Sequence, residues 1–235
     1  LDRGIPGQRV QVLHNPGNTT SFRPDAAAGA AMRASLGIPA DAIVLGYVGR
    51  VHTGKGVFPL LDAARQAMQR EPRLHCLWVG DGPDAARLRA LATADTEVGA
   101  RHHFAGWNNH TADYFRSLSM LAFPSIATET FGRVSIEAQA CGVPVLASDI
   151  GGVPETLAPG QSGLLLPPGD VAAWRDAILA MCDDATRQRM GATAREIVLQ
   201  RFATHVIARD FVAQLQPVSA GHGSAGLGGL GATPG

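Results

Sequence analysis

The sequence is poor in cysteine, with only Cys76, Cys141 and Cys182 among 235 residues and no Cys-x-x-Cys pair. An odd number of widely spaced cysteines argues against a disulfide framework, so we expect buried free thiols in a reducing compartment. Long apolar runs are also missing: none approaches the roughly eighteen residues of a membrane span, and the opening LDRGIPG lacks a signal-peptide core. We therefore expect a cytoplasmic protein. Because the chain begins with Leu rather than Met, we also expect a fragment of a longer reading frame.

No excess of either charge is present, since twenty Lys plus Arg balance twenty Asp plus Glu. Without a basic field, nucleic acid is not a predicted partner, and any ligand must be recognised locally. The eight histidines form no His-x-x-x-His or His/Cys ligand set, and neither an Asp-x-Asp motif nor a Gly-x-Ser-x-Gly nucleophile elbow occurs. We therefore expect no metal cofactor and no serine-hydrolase chemistry.

What the sequence does contain is a regular alternation of short apolar runs and amphipathic segments. Hydrophobic residues make up 46% of the chain, enough for the core of a single domain. The alternation is typical of βαβ crossovers and predicts an α/β fold, a Rossmann-like parallel sheet with helices on both faces. The predicted strands are residues 10–14, 43–48, 74–79, 102–105, 118–123, 143–147 and 163–166. The predicted helices are residues 26–36, 57–70, 84–94, 131–141, 171–182, 185–200 and 204–214.

The most informative stretch is residues 125–155, SIATETFGRVSIEAQACGVPVLASDIGGVPE. If its helix starts near Phe131, then Gly132, Arg133 and Val134 form the first turn. The N–H groups of a first turn have no partner inside the helix, and the helix dipole places partial positive charge there. This turn is therefore a candidate phosphate-binding site.

Two glutamates bracket that turn, Glu129 just before it and Glu137 within the helix, with seven residues between them. The stretch resembles the signature of retaining glycosyltransferase family 4, enzymes of the GT-B fold that use nucleotide-sugar donors. The family pattern joins a glutamate pair around E-x-F-G to E-A-x-A-x-G-x-P-V and D-x-G-G-x-x-E, and each element stands here. A lone glutamate pair is weak evidence, but this many fixed positions over about thirty residues is a specific signal.

The resemblance assigns roles to charged residues in two segments. Glu129 is implied to hold the hydroxyls of the transferred sugar beside the reacting carbon, and Glu137 to accept hydrogen bonds from the ribose. Arg50 and Lys55 lie in the glycine-rich segment GRVHTGKG at the carboxyl end of a predicted strand, which is the ligand edge of an open α/β sheet. The family places an Arg and a Lys at this spacing, and both are implied to contact the donor diphosphate. The implied catalytic set is Glu129, Arg50 and Lys55.

The remaining implied contacts belong to donor binding. Trp107 and Asn108 follow a predicted strand in a segment that lines the nucleotide-base pocket in the family. Asp81 and Glu155 we expect to organise their own turns rather than to act on a ligand. The implied donor-binding set is Gly49, Trp107, Asn108, Phe131, Gly132, Arg133, Val134 and Glu137.

Alternatives to these roles remain open from the sequence. Arg50 and Lys55 could be solvated loop cations, and Trp107 could pack at a strand end. The glutamates could form a hydrolase-type acid/base pair, although they would lie on opposite sides of a helix start. In a purely structural alternative, Glu129 caps the helix and Glu137 is a solvated helical residue.

The resemblance covers residues 14–215, predicted as the nucleotide-sugar-binding domain, with residues 1–24 as the linker and first strand. Residues 216–235 are glycine-rich and predict a flexible tail. Only the C-terminal, donor-binding half of a GT-B enzyme is matched. The implied partners are a nucleotide sugar and an absent N-terminal acceptor-binding domain, through which peripheral membrane association would occur.

The function implied is retaining transfer of a hexosyl group from a nucleotide sugar to an unknown acceptor, without a metal or other cofactor. We expect the isolated chain to be inactive without its other half. A non-catalytic nucleotide-sugar-binding subunit is the main alternative, and another GT-B reaction, such as epimerisation of a nucleotide sugar, is a third.

Overall fold

Six parallel strands form one sheet in the computed structural model, which describes residues 11–215. They are β1 (Ile43–Val48), β2 (Leu74–Val79), β3 (His102–Gly106), β4 (Met120–Phe123), β5 (Val145–Ser148) and β6 (Gly163–Leu166). Their order across the sheet is β3-β2-β1-β4-β5-β6, and every neighbouring pair is parallel. The strand order reverses between β1 and β4, and in open α/β sheets the ligand crevice lies at the carboxyl ends of the strands beside such a reversal. The predicted Rossmann-like α/β fold is confirmed.

Helices cover both faces of this sheet. They are α1 (Ala26–Ser35), α2 (Val57–Met68), α3 (Ala85–Ala94), α4 (Ala112–Ser117), α5 (Arg133–Ala140), α6 (Val171–Ala180), α7 (Asp184–Arg201) and α8 (Thr204–Leu215). Helices α2, α3 and α6 pack on one face, and α4 and α5 on the other. Successive residues of β1 alternate between the two cores, because side chains of a strand point to opposite faces.

Local signals explain where several helices begin. The carboxylate of Asp25 accepts a hydrogen bond from the Ala28 N–H at 3.0 Å and caps α1, as predicted. Asp170 and Asp183 cap α6 and α7 in the same way. Helix α4 was not predicted, because six residues are too few to show helical periodicity.

The predicted strand at residues 10–14 is wrong over its described part, since residues 11–14 have no regular structure. Gly17 makes only an isolated bridge with Ala203. The segment is held by side-chain packing instead: the ring of His14 stacks on Phe131, with centroids 5.6 Å apart, and lies edge-on to Phe202. The predicted tail at residues 216–235 lies outside the described residues. Within residues 11–215, every helix is too short or too polar to span a bilayer.

Candidate functional site

Two loops meet at the crevice between β1 and β4. The N–H groups of Ile126 and Ala127, after β4, both donate to the Gly54 carbonyl at 3.0 Å, after β1. Gly56 has a φ of 70°, and a Cβ there would lie 1.8 Å from the carbonyl oxygen of Pro124. Only glycine allows this approach. The two loops therefore form one backbone-packed unit at the ligand edge of the sheet.

Lys55 and Glu129 form an ion pair across these two loops. Lys55 ends a single 3-10 turn, Thr53–Lys55, and its side chain is 37% exposed, whereas that of Glu129 is 16% exposed. Lys55 is also the only lysine in the sequence. Two of the three residues implied to be catalytic are thus brought together.

Glu129 is held through its backbone as well. Its carbonyl accepts a hydrogen bond from the Gly152 N–H at 2.9 Å, and a Cβ at Gly151 would lie 2.1 Å from the same oxygen. The two glycines of the D-x-G-G segment therefore let the backbone pack closely against this loop. No side chain caps α5, whose N-cap is Gly132, so the alternative in which Glu129 caps the helix is wrong.

At the start of α5, backbone amides rather than side chains are available to a ligand. Phe131 is buried against His14 and Phe202, and Val134 packs partly buried against the core. The side chain of Arg133 is exposed to solvent. A ligand at this turn would therefore meet the amides of Gly132, Arg133 and Val134, which no capping side chain occupies.

A cavity of about 590 Å³ opens at the carboxyl ends of β1, β2 and β3. Trp107 lines it and is 72% exposed, so the alternative in which this side chain is packed is wrong. Tyr47 donates to the Arg50 carbonyl at 2.7 Å and holds the loop at the cavity wall, a contact that the sequence did not reveal. The lining residues are Val48, Gly49, Arg50, Val79, Gly80, Asp81, Gly82, Trp107, Asn108 and Thr111.

Polar side chains on this cavity are fixed by local bonds. The Asn108 side chain accepts from the His110 N–H at 2.7 Å and donates to the Tyr114 hydroxyl at 3.3 Å. Asp81 accepts from the Gly82 N–H at 2.7 Å, which confirms it as a turn residue. Arg50 is exposed and makes no side-chain hydrogen bond or ion pair within residues 11–215.

Glu137 lies in α5, one helical turn beyond Arg133. Its side chain faces a smaller cavity of about 180 Å³ that shares no lining residue with the larger one and includes Pro16, Gly17 and Asn18. It pairs with Arg133 at 3.4 Å, and burial raises the pKa of its carboxyl. Glu137 is therefore not a solvated helical residue, and its implied ribose contact rests on the resemblance alone.

The raised pKa of Glu137 has a measurable consequence. Because the folded-state pKa lies above that of the unfolded chain, this carboxylate lowers stability, progressively as pH rises through its folded pKa. We expect Glu137→Gln to raise the melting temperature at pH 7, and the difference from wild type to vanish in acid, where both side chains are neutral. Melting curves across pH check this, and a lower melting temperature for the variant at pH 7 would contradict it.

No group of three or more His, Cys, Asp or Glu side chains within residues 11–215 is arranged to hold a metal ion. A metal-free reaction stays a prediction.

Comparison with known proteins finds relatives that are glycosyltransferases. The family model for glycosyl transferases group 1 matches residues 30–197, more than half of the chain. The D-inositol 3-phosphate glycosyltransferase of Streptomyces bingchenggensis is 36% identical over 205 residues, which cover 81% of this chain and 44% of that protein. The chain thus spans less than half the length of this relative.

Two crystal structures share the fold. Anabaena Alr3699/HepE in complex with UDP and glucose has a TM-score of 0.78 at 27% identity, over 90% of this chain and 58% of that one. The C-terminal domain of a group 1 family glycosyl transferase, LpcC from Francisella tularensis, has a TM-score of 0.69 at 21% identity. That match covers 79% of this chain and 98% of that one, and it shows likeness of fold alone.

Proposed function

The chain belongs to the glycosyl transferases group 1 family, and we propose that it is the C-terminal, donor-binding half of a retaining GT-B glycosyltransferase of family 4. The observation that carries the proposal is the Lys55–Glu129 ion pair at the crevice between β1 and β4. Glu129 stands three residues before Gly132, the N-cap of α5, where no side chain caps the helix. A cation, a carboxylate and open amides are the groups that a sugar diphosphate requires.

The proposed chemistry is transfer of a hexosyl group without a metal. As the bond from the sugar to the diphosphate breaks, negative charge grows on the departing phosphate. Arg50, Lys55 and the amides of the first turn of α5 would stabilise that charge, because donors held in place need no reorganisation during the reaction. Glu129 would hold the hydroxyls of the cationic sugar.

We propose a uridine diphosphate sugar as the donor, with its base in the 590 Å³ cavity beside Trp107. The support is twofold: Alr3699/HepE was crystallised with UDP and glucose, and an exposed indole at a cavity edge suits stacking on a base. The acceptor would bind to a second domain, in keeping with the length of the S. bingchenggensis relative.

Replacing Trp107 tests the base position. We expect Trp107→Ala to weaken UDP binding about tenfold, since stacking on an aromatic ring contributes roughly 1 to 3 kcal/mol per base. Calorimetry with UDP measures this, and Phe211→Ala, which removes an exposed aromatic ring on α8, is the control. Equal UDP affinities for wild type and Trp107→Ala would show that the base does not bind in this cavity.

The direct test of the proposal needs no acceptor. The 235-residue chain is titrated calorimetrically with UDP, GDP, ADP and UDP-glucose, and UDP compounds are expected to bind most tightly. If none of the nucleoside diphosphates binds, the proposal is wrong. Transfer itself is tested after joining the chain to an N-terminal acceptor-binding domain, with the configuration of the new bond distinguishing retention from inversion.

A further inference from the structure

Ser125 contacts the same carboxylate oxygen that Lys55 contacts. It is the second residue after β4 and is 1% exposed, and its hydroxyl oxygen lies 2.5 Å from Oε1 of Glu129. Lys55 Nζ also binds Oε1. An ionised carboxylate only accepts hydrogen bonds, so the serine hydroxyl is the donor. Oε1 therefore has two donors, while Oε2 has no hydrogen-bond partner within the described residues.

This division of the two oxygens matters because of what surrounds Glu129. Its backbone is already fixed by the bond from Gly152, and its loop by the bonds to Gly54. The freedom that remains is rotation of the long side chain, which has several rotamers. A donor on Oε1 restricts that rotation and keeps Oε2 pointing in one direction.

The two donors are not equivalent. In the proposed function Lys55 binds the diphosphate when the donor sugar enters the site, and its ion pair with Glu129 is then weakened. Ser125 is buried and has no charged ligand to turn to, so its bond to Oε1 persists.

We propose that Ser125 is a positioning residue that orients the Glu129 carboxylate and presents Oε2 to the hydroxyls of the transferred sugar. This inference rests on the proposed function, because it assigns a task to Ser125 only if Glu129 meets the sugar. Ser125 itself touches neither sugar nor phosphate.

Binding of UDP and UDP-glucose to the 235-residue chain separates this role from a merely structural one. The quantity measured is the ratio of the dissociation constant for UDP to that for UDP-glucose, which reports the contribution of the sugar. We expect Ser125→Ala to reduce that ratio about tenfold and to leave UDP affinity unchanged within about twofold, since hydrogen bonds to a charged group are among the stronger ones. Glu129→Gln should also reduce the ratio, and the ratio in the double variant should fall no further than in Glu129→Gln alone.

Ser148→Ala is the matched control. Ser148 ends β5 at the same edge of the sheet, is fully buried, and its hydroxyl has no partner in residues 11–215. Its replacement should change neither constant. If Ser125→Ala unfolds the chain, Ser125→Cys keeps the volume close to that of serine with a weaker donor, and an intermediate ratio is expected.

Three results would overturn the assignment. One is an unchanged ratio in Ser125→Ala, and another is an equal loss of affinity for UDP and UDP-glucose, which would mean damage to the whole site. The third is a wild-type chain that binds UDP-glucose no better than UDP. If the wild-type chain bound no nucleotide at all, the proposed function itself would fail, which is a different result from any of these three.

Discussion

Replacing Lys55 by alanine is expected to lower kcat about a hundredfold or more in an enzyme that contains both domains. Removing one preorganised donor from a site where charge develops typically has an effect of this order. The proposed function gives Lys55 that task, and the turn at residues 53–55 and the ion pair with Glu129 hold its side chain in place. Steady-state kinetics with a saturating donor measure the loss, and near-normal turnover would reject the assignment.

The control for this variant is Arg73→Ala. Arg73 directly precedes β2 at the opposite edge of the sheet and pairs with Glu71. Its replacement therefore removes a cation without changing the crevice. A second measurement needs no acceptor domain. Because Lys55 is the sole lysine, an amine-specific reagent modifies this side chain alone apart from the terminal amine. Bound UDP should protect it, as peptide mapping by mass spectrometry would show.

The second large effect is expected on stability, from Gly56→Ala. The added Cβ would lie 1.8 Å from the Pro124 carbonyl oxygen, and the residue would also keep a left-handed φ of 70°. Separating the two backbones would move the loop that carries Lys55 away from β4. We expect the free energy of unfolding to fall by about 3 kcal/mol or more. Urea denaturation, extrapolated to zero denaturant, measures it.

Gly37→Ala isolates the steric part of this loss. Gly37 has a similar φ of 67°, but a Cβ there meets nothing within 4 Å. Its replacement should therefore cost only the left-handed conformation, about 1 to 2 kcal/mol. Equal losses for the two variants would show that the contact with Pro124 does not constrain the loops.

Much of the fold could be predicted because its signals are local. Strands β1, β2 and β6 begin and end where the apolar runs do, and α1 begins at the side chain that caps it. Helix ends differ from prediction by up to two residues, as frayed ends usually do.

The site was less accessible to prediction, because its details depend on contacts between distant residues. Glu155 was expected to organise its own turn, yet its carboxylate pairs with His14 at 2.9 Å, across 141 positions of sequence. Ser125 is a common residue beside a proline, and nothing local indicates that its hydroxyl meets Glu129. The two glutamates bracket one turn in the sequence, but nothing local indicated that Glu137 faces a cavity of about 180 Å³ that Arg133 also lines.

The ion pair between Lys55 and Glu129 also affects how an anionic ligand approaches. Each charge cancels the other at distances beyond a few ångströms, and the chain as a whole has no net charge. Of the two cations proposed for the diphosphate, Arg50 is then the one that attracts a doubly charged molecule from a distance. Encounter rates should therefore depend weakly on ionic strength, and tight binding would come from slow dissociation once the pair has been separated.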